Sequence, residues 1–565
     1  VPRSGSPVGV RAVWSFLLNR AFALATLVGL CFWFSFASGV AFVGEGWFVQ
    51  VIHRVANGET LYRDVAYGAG PLPVLVAAAL ARITGANVLL LKALVALTWA
   101  VTIWTGRGIL RAAGRSVWTQ GAYVATCLLL APTPLSPLYQ VMASLFMAAS
   151  YRLAIAAIRD GRQEALLLAA GAAGLSAASK QNVGLYALAA LLVSCIIVAR
   201  RNRAVELRAR SAAALRVLVA FALGVGPFFA LALFTAGVED LWQSVAANKG
   251  AYVSFGGISL TEGLADALEK VWPPHAARPF DLLHALGFLI APVAVIVPFC
   301  TGMLLRGGCG PVLVPVACFS VASFAAVFPR ADRIHVTYML PLLLVGFWWG
   351  LSLLSALRPR RLAHGSRAVL KRMSIATLFV FLVGTVLWPG LEWVRGDRTV
   401  CQLPGFRGPL VSTRQERRLQ RLRADLVPRV SGRRVFFLSP RAGFWYRTLE
   451  LPNPTPVDFP YRSLLTAERR QRIITALKSG GIHVVCVEEV DSPLWPARLH
   501  AQIGRDFDFE GSVGPLRLYA AASRIVARAD DRGPPGTRCS RGEEAGGLTG
   551  RRGTAVTEPT EGRTR

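Results

Sequence analysis

The sequence predicts an all-α polytopic membrane protein of about eleven transmembrane helices, with a small C-terminal α/β domain on the extracytoplasmic side. Three observations predict it. The 565 residues are 53% hydrophobic and only 17% charged, with a mean hydropathy of +0.46, too apolar for a soluble enzyme. The apolar stretches recur at lengths that match a bilayer. The basic residues, which raise the formal charge to +30, collect between those stretches, as membrane orientation requires. That placement favours membrane lipids, including anionic headgroups, over nucleic acid, and no nucleic-acid partner is expected. Nine cysteines are scattered without a CxxC pair or a His/Cys spacing suited to zinc. Neither a disulfide framework, a metal site nor a cofactor is indicated.

The elements follow in order from apolar length and the positions of Arg and Lys. Arg3, Arg11 and Arg20 precede the first apolar run without a small-residue cleavage pattern, so residues 1–20 are expected in the cytoplasm and Ala21–Val43 as an uncleaved first span. The first outer loop, 44–86, includes Pro71–Ile83, about 13 residues with Arg82, too short for a span. Asn87–Gly106 returns to Arg107, Arg111 and Arg115, with Lys92 near the outer end and able to snorkel. Val117–Ala131, Leu138–Ile158, Ala165–Ser179, Val183–Ala199 and Ala212–Ala236 then alternate across the membrane. A long outer loop, 237–281, is large enough to hold structure of its own. Leu282–Leu305, Val312–Phe328, Val336–Leu357 and Ile375–Trp388 complete the transmembrane domain, 21–389. A charge at mid-span costs about 2.5–3.5 kcal/mol against about 0.3–0.6 regained per apolar residue, so charges should gather at helix ends.

Beyond Pro389 the composition turns soluble. Val435–Leu438, Ile482–Val487 and Leu516–Ala520 have strand character, and Ala467–Lys478 reads as a helix ended by Gly480 and Gly481. Residues 390–529 are expected to form the α/β domain and 530–565, rich in Gly, Pro, Arg and Thr, a disordered tail. No internal repeat is visible.

The stretch from Phe42 to Pro73 carries the strongest functional signal. Glu45 stands where the first span leaves the bilayer, and an acid at that depth needs a partner or a task. After it, Trp47, Phe48, Val51, Ile52 and Val55 share one helical face and Gln50, His53, Arg54 and Asn57 the other, the pattern of an interfacial helix. Gly58 to Asp64, with Leu61 and Tyr62, and Gly70-Pro71-Leu72-Pro73 follow.

In this order of parts the chain resembles the GT-C class of membrane glycosyltransferases, particularly bacterial relatives of protein O-mannosyltransferases and aminoarabinose transferases. Ser179-Lys180-Gln181-Asn182-Val183-Gly184 is similar to a Lys-containing turn of that class, and Phe328 to His335 to one of its outer-loop motifs. The resemblance covers about residues 20–390. It implies a GT-C-like fold in a bacterial-type plasma membrane and transfer of a sugar from a polyprenyl-phosphate donor to a glycan, lipid or protein acceptor on the outer face. The acceptor hydroxyl loses a proton as it attacks the anomeric carbon, which calls for a carboxylate, and the departing lipid phosphate calls for cations or donors. Glu45 is the expected base, and Lys180, Arg330 and His335 the expected phosphate ligands. Arg63, Asp64, Gln181, Asn182, Asp332 and Asp240 are supporting candidates. Where many members place Asp or an Asp-Glu pair, this chain has Gly44-Glu45-Gly46, which leaves the acceptor type open.

Each residue also has a structural reading. Arg63 and Asp64 would order a turn, Lys180 would anchor helix ends, Arg330, Asp332, Arg333 and His335 would form a loop ion-pair network, and Asp240 would start a helix. A lipid or small-molecule transporter or flippase would instead show ionisable residues deep inside several spans. A non-catalytic assembly protein would leave the Glu45 loop without a purpose.

Overall fold

In hydrocarbon every backbone N–H must be satisfied within the protein, so the apolar two thirds of the chain folds as helices. The computed structural model describes residues 10–130, 137–201, 207–247, 257–269, 279–304, 311–356, 387–461, 464–479, 481–490 and 495–521, with a few isolated positions between 253 and 383. Its helical part comprises α1 (Val10–Ala37), α2 (Gly44–Ala56), α3 (Leu72–Thr84), α4 (Val88–Ala112), α5 (Val117–Leu130), α6 (Leu138–Asp160) and α7 (Gln163–Ser179). It continues with α8 (Gln181–Arg201), α9 (Leu207–Ala236), α10 (Val238–Trp242), α11 (Leu260–Glu269), α12 (Pro279–Leu304), α13 (Leu313–Ala325) and α14 (Arg333–Ala356).

Six segments among the described residues are long and apolar enough to cross a membrane: Asn19–Ala37, Val88–Ala112, Leu138–Asp160, Gln181–Arg200, Ser211–Ala236 and Ile334–Leu354. Leu72–Thr84, Val117–Leu130 and Leu313–Ala325 are apolar but shorter. Of the eleven expected spans, those six are the ones the described residues show as long and apolar enough on their own. The helix α5 has 14 residues, and at 1.5 Å per residue it reaches only about 21 Å of a hydrocarbon core about 30 Å thick. The expected last span, Ile375–Trp388, falls for the larger part outside the described residues, and 530–565 wholly so.

The C-terminal part holds α15 (Trp388–Val394), β1 (Arg398–Val400), β2 (Leu410–Ser412), α16 (Thr413–Val430), β3 (Val435–Leu438), α17 (Ala442–Leu449), α18 (Ala467–Lys478), β4 (Val484–Val487), α19 (Ala497–Asp506), β5 (Phe507–Val513) and β6 (Leu516–Ala521). One sheet runs β3-β4-β6-β5, and β1 pairs separately with β2. Within the four-stranded sheet β3 and β4 are parallel, with Val435 opposite Val484, and the other pairs are antiparallel. All four residues of β3 and all four of β4 are buried, which is why both read as unbroken apolar runs.

The helix α2 is not a surface helix. Phe48, Val49, Val51 and Ile52 are buried, and so are Gln50 and Arg54 on the side expected to meet water. The helix is sandwiched between the bundle and α17. A Cβ on Gly46 would lie 2.8 Å from the Cβ of Phe444, so only glycine permits this crossing. Arg54 locks it. Its guanidinium donates to Asp458 Oδ2 and the Thr455 carbonyl at 3.0 Å each, to Glu59 Oε2 at 2.9 Å and to the Asp64 carbonyl at 2.7 Å. Asp458 is fully buried. Burial pushes its carboxyl above the usual range, and Arg54 and Asn453 pull it back.

Candidate functional site

The break between α7 and α8 sets Lys180. Its backbone is extended, its N–H bonds the Ser176 carbonyl at 2.8 Å, and its own carbonyl accepts from Val183 and Gly184. The first loop packs on this turn. Gly70 donates to the Ser179 carbonyl at 3.2 Å, and a Cβ at Gly70 would stand 2.0 Å from the Ala178 carbonyl oxygen. The Lys180 side chain is buried, and its Nζ lies 2.7 Å from the Tyr338 hydroxyl and 4.4 Å from that ring's centroid. The same hydroxyl donates to the Ala326 carbonyl at 2.8 Å, so toward Lys180 it acts as acceptor.

Tyr338 is one turn along α14 from His335, and the two rings lie 5.9 Å apart. Asp332 begins that helix: its Oδ1 accepts from the His335 backbone at 3.0 Å and pairs with His335 Nδ1 at 2.7 Å. Its Oδ2 faces Arg330 Nε at 2.5 Å. Burial raises the Asp332 carboxyl, but the bonds from His335 and Arg330 outweigh it and hold the group well below the usual carboxylate range. His335 Nδ1 is thus engaged by Asp332, and Gln140 Nε2 lies 3.5 Å from the other ring nitrogen. The expected phosphate ligands Lys180, Arg330 and His335 therefore meet at one end of the bundle from two distant segments, the turn between α7 and α8 and the stretch that leads into α14. The long loop touches them as well: Ile258 bonds Pro329 and Ala331 through backbone pairs of 3.1 and 2.9 Å.

An aromatic wall borders the cations. Trp47 lies 5.7 Å from Tyr67 and 5.5 Å from Phe459, Tyr67 lies 6.2 Å from Tyr139, and Phe48 lies 6.4 Å from Tyr139. Phe459 continues to Tyr461 at 4.1 Å. Burial pushes the Tyr461 phenol up, Arg330 pulls it down and Glu488 adds to the rise, so the loop before α14 and the C-terminal sheet share one electrostatic neighbourhood. Glu488, just past β4, accepts from Ser439 at 2.5 Å and pairs with Arg441 just past β3. Around the cluster several buried polar atoms have no partner among the described residues: Trp47 Nε1, Gln50 Oε1, the Tyr67 hydroxyl, Gln140 Oε1, both amide atoms of Gln181 and Asn182 Oδ1. Buried polar atoms are normally satisfied, so these are atoms with which a polar ligand could pair.

Glu45 stands apart from these groups. Its Oε1 pairs with Lys92 Nζ at 2.8 Å, and its Oε2 accepts from the Ala41 N–H at 2.8 Å. Lys92, expected to snorkel, is only 2% exposed and also donates to the Ser35 carbonyl at 2.9 Å. The snorkelling expectation is corrected: a counter-ion one helix away makes burial of the ammonium tolerable. Among the described residues Glu45 bonds none of Lys180, Arg330 and His335. It joins the region through α2, whose next residues, Trp47 and Phe48, enter the aromatic wall.

Of the supporting candidates, Gln181 and Asn182 adjoin Lys180, and Asn182 Nδ2 lies 3.4 Å from the Phe328 carbonyl. Arg63 and Asp64 pair at 3.0 Å on the surface, and Asp64 Oδ2 accepts from the Thr60 N–H, so they order the turn. Asp240 faces Arg472 of α18 at 3.7 Å. The side chain of Arg333 falls outside the described residues. Sequence reasoning missed Tyr338, Gln140 and Tyr461. Tyr338 was legible by its i, i+3 spacing from His335; Tyr461 had no local signal.

No protein-family model matches the chain, and no curated protein matches its sequence. Solved structures do. The crystal structure of ArnT from Cupriavidus metallidurans bound to undecaprenyl phosphate matches with a TM-score of 0.54 at 13% identity, over 90% of this chain and 99% of that one. The apo state of the same protein gives 0.51 at 13% identity with the same coverage. The archaeal oligosaccharyltransferase AglB from Archaeoglobus fulgidus, in complex with an inhibitory peptide and a dolichol-phosphate, gives 0.46 at 11% identity over 89% and 75%, too loose to argue from. At such identities the likeness is one of fold, and the fold is that of the GT-C class.

Proposed function

We propose that this chain is a membrane glycosyltransferase that moves a sugar from a polyprenyl-phosphate carrier to an acceptor at the outer face. The observation that carries the proposal is the convergence of Lys180, Arg330 and His335 beside an aromatic wall and a set of unpartnered buried polar atoms. Lys180 and Arg330 would hold the phosphate, as cations strengthen bonds to its oxygens, and Gln181, Asn182 and Gln140 would supply neutral contacts. A buried ammonium already set against Tyr338 needs little rearrangement as charge develops on the leaving phosphate, which is where preorganised groups lower a barrier. The fold match to a protein crystallised with undecaprenyl phosphate supports the lipid class of the donor.

Glu45 is assigned as the base that takes the acceptor's proton. Each oxygen of a carboxylate has two acceptor positions, and Lys92 and Ala41 occupy one on each. The test is a binding titration of the purified protein with undecaprenyl phosphate and, separately, undecaprenol, followed by native mass spectrometry. The phosphate form should bind at least about tenfold more tightly, a preference that Lys180→Gln and Arg330→Gln should each erode. Equal binding of the two lipids would overturn the donor assignment.

A further inference from the structure

Away from the Lys180 cluster, α1, α4 and α6 enclose a charged cavity. It has a volume of about 210 Å³ and is lined by Arg20, Arg107, Arg111 and Arg152 together with Trp104 and Gln120. Arg20 comes from α1, Arg107 and Arg111 from α4, and Arg152 from α6. Helix geometry puts it far from the Lys180 cluster: Gln140 and Arg152 lie twelve residues apart on α6, or about 18 Å along its axis.

Three features separate this cavity from basic residues that merely set orientation. Arg107 and Arg152 lie inside their helices, five residues before Ala112 and eight before Asp160, or about 8 and 12 Å from those ends. Arginines at such depth are costly and mark binding sites or ion paths. Among the described residues no carboxylate pairs with Arg107, Arg111 or Arg152, although Asp160 is nearby in sequence and pairs instead with Arg159. The guanidiniums are also positioned. Arg107 stacks 4.6 Å from the Trp104 ring centroid, and Arg152 rests against Gly108, where a Cβ would stand 3.4 Å from its guanidinium. Like charges at i and i+4, such as Arg107 and Arg111, repel. Arg107, Arg111 and Arg152, lining one cavity, call for an anion between them.

We propose that this cavity binds the phosphate headgroup of an anionic lipid from the leaflet opposite the Lys180 site. Its size takes a phosphate and the first atoms of its ester substituents while acyl chains stay outside among the helices. Arg111 and Arg152 are more exposed than Arg107 and form the mouth; Arg107 and Trp104 form the side wall. A basic pocket between transmembrane helices is suited to such a headgroup.

The test uses the full-length protein in detergent with added phosphatidylglycerol, phosphatidylcholine or inorganic phosphate, read by lipid retention in native mass spectrometry and by the midpoint of thermal unfolding. Phosphatidylglycerol should be retained and should raise the midpoint; phosphatidylcholine should do neither. Each basic residue near a membrane surface contributes about fivefold to anionic-lipid affinity, so Arg107→Gln/Arg152→Gln should lose at least about tenfold. Arg159→Gln, outside the cavity, should retain the lipid. Should the double variant fail to fold, Arg107→Lys/Arg152→Lys keeps the charges but loses the planar fork, and retention several-fold below wild type is expected. Equal retention of phosphatidylglycerol by wild type and whichever double variant folds would overturn the site. Stabilisation by inorganic phosphate but not by phosphatidylglycerol would overturn its lipid occupant.

Discussion

Glu45→Gln removes the charge opposite Lys92 while keeping the shape of the side chain. Two unit charges 2.8 Å apart attract by about 6 kcal/mol at an effective dielectric near 20, and both paid desolvation to get there. Removing one partner of a buried pair costs about 3–5 kcal/mol because the other charge is stranded. Glu45 is 19% exposed and Lys92 keeps its bond to Ser35, so the lower end, about 3 kcal/mol, is expected. Reversible unfolding in a mixed-detergent titration would measure it, and Glu45→Gln/Lys92→Met should recover at least half of the loss, since an apolar replacement of both partners is often tolerated. The cycle also separates two roles. If Glu45 is the base, the double variant is stable and inactive in sugar transfer. If transfer returns with stability, the base assignment is refuted and Glu45 serves only to hold α2 against α4. A single variant that loses less than about 1 kcal/mol would refute the ion-pair reasoning itself.

Four other outcomes are expected. Tyr338→Phe keeps the ring beside Lys180 and removes its hydroxyl, so undecaprenyl phosphate binding should weaken by about threefold to tenfold in the same mass-spectrometric titration. Arg54→Met strands the buried Asp458 and should cost about 3–5 kcal/mol, seen as faster limited proteolysis between residues 388 and 521. Burial, with Arg447 and Arg54 nearby, lowers the His53 imidazole from 6.5 to about 4. The unfolded chain therefore binds the extra proton first as pH falls, and stability should be full above about pH 6.5 and decline toward pH 4, a slope that His53→Asn should flatten. Gly70→Ala drives a Cβ toward the Ala178 carbonyl and should loosen the first loop from the Lys180 turn, lowering the unfolding midpoint and carrier affinity together.

Much of the bundle was legible because hydrocarbon allows few solutions: long apolar runs such as 138–160 and 334–354 had to be helices. That Lys180, Arg330 and His335 stand near helix ends was legible for a related reason, since charges excluded from mid-span collect there. What the pattern could not give was which ends meet. The amphipathic face of α2 was read as facing water because Gln50, His53 and Arg54 are polar; in the fold the C-terminal unit covers that face, and Arg54 finds Asp458 about 400 residues away. The partner of Glu45 was hidden likewise. Lys92 has the sequence context of a snorkelling lysine, and only the crossing of α4 behind α2 turns it inward. Arg152 was passed over within an otherwise apolar run, because one charge barely lowers the hydropathy of a 23-residue helix.

The same interlock bears on how the Lys180 end works. The cation cluster is assembled by loops and helix termini, which on their own are the least stable parts of a fold. Here they are tied on several sides: Gly70 to Ser179, Ile258 to Pro329 and Ala331, and Ala66 to the Pro456 carbonyl at 2.6 Å. Arg469 of α18 adds bonds to the Tyr62 carbonyl at 3.3 Å and to Ser244. Three of the tied segments are the first loop, the long loop and the C-terminal unit. If the chain acts as proposed and its substrates enter between them, a rigid closure of all three would block exchange, and at least one tie would have to open. The backbone pairs at Ile258 are the best placed to do so, because they join two loop segments without a buried charge to strand, whereas opening at Arg54 would expose Asp458. Amide hydrogen exchange should therefore be faster at Ile258 and Ala331 than at Ala66, and faster still when undecaprenyl phosphate is absent. Equal protection at the three amides would place the opening elsewhere.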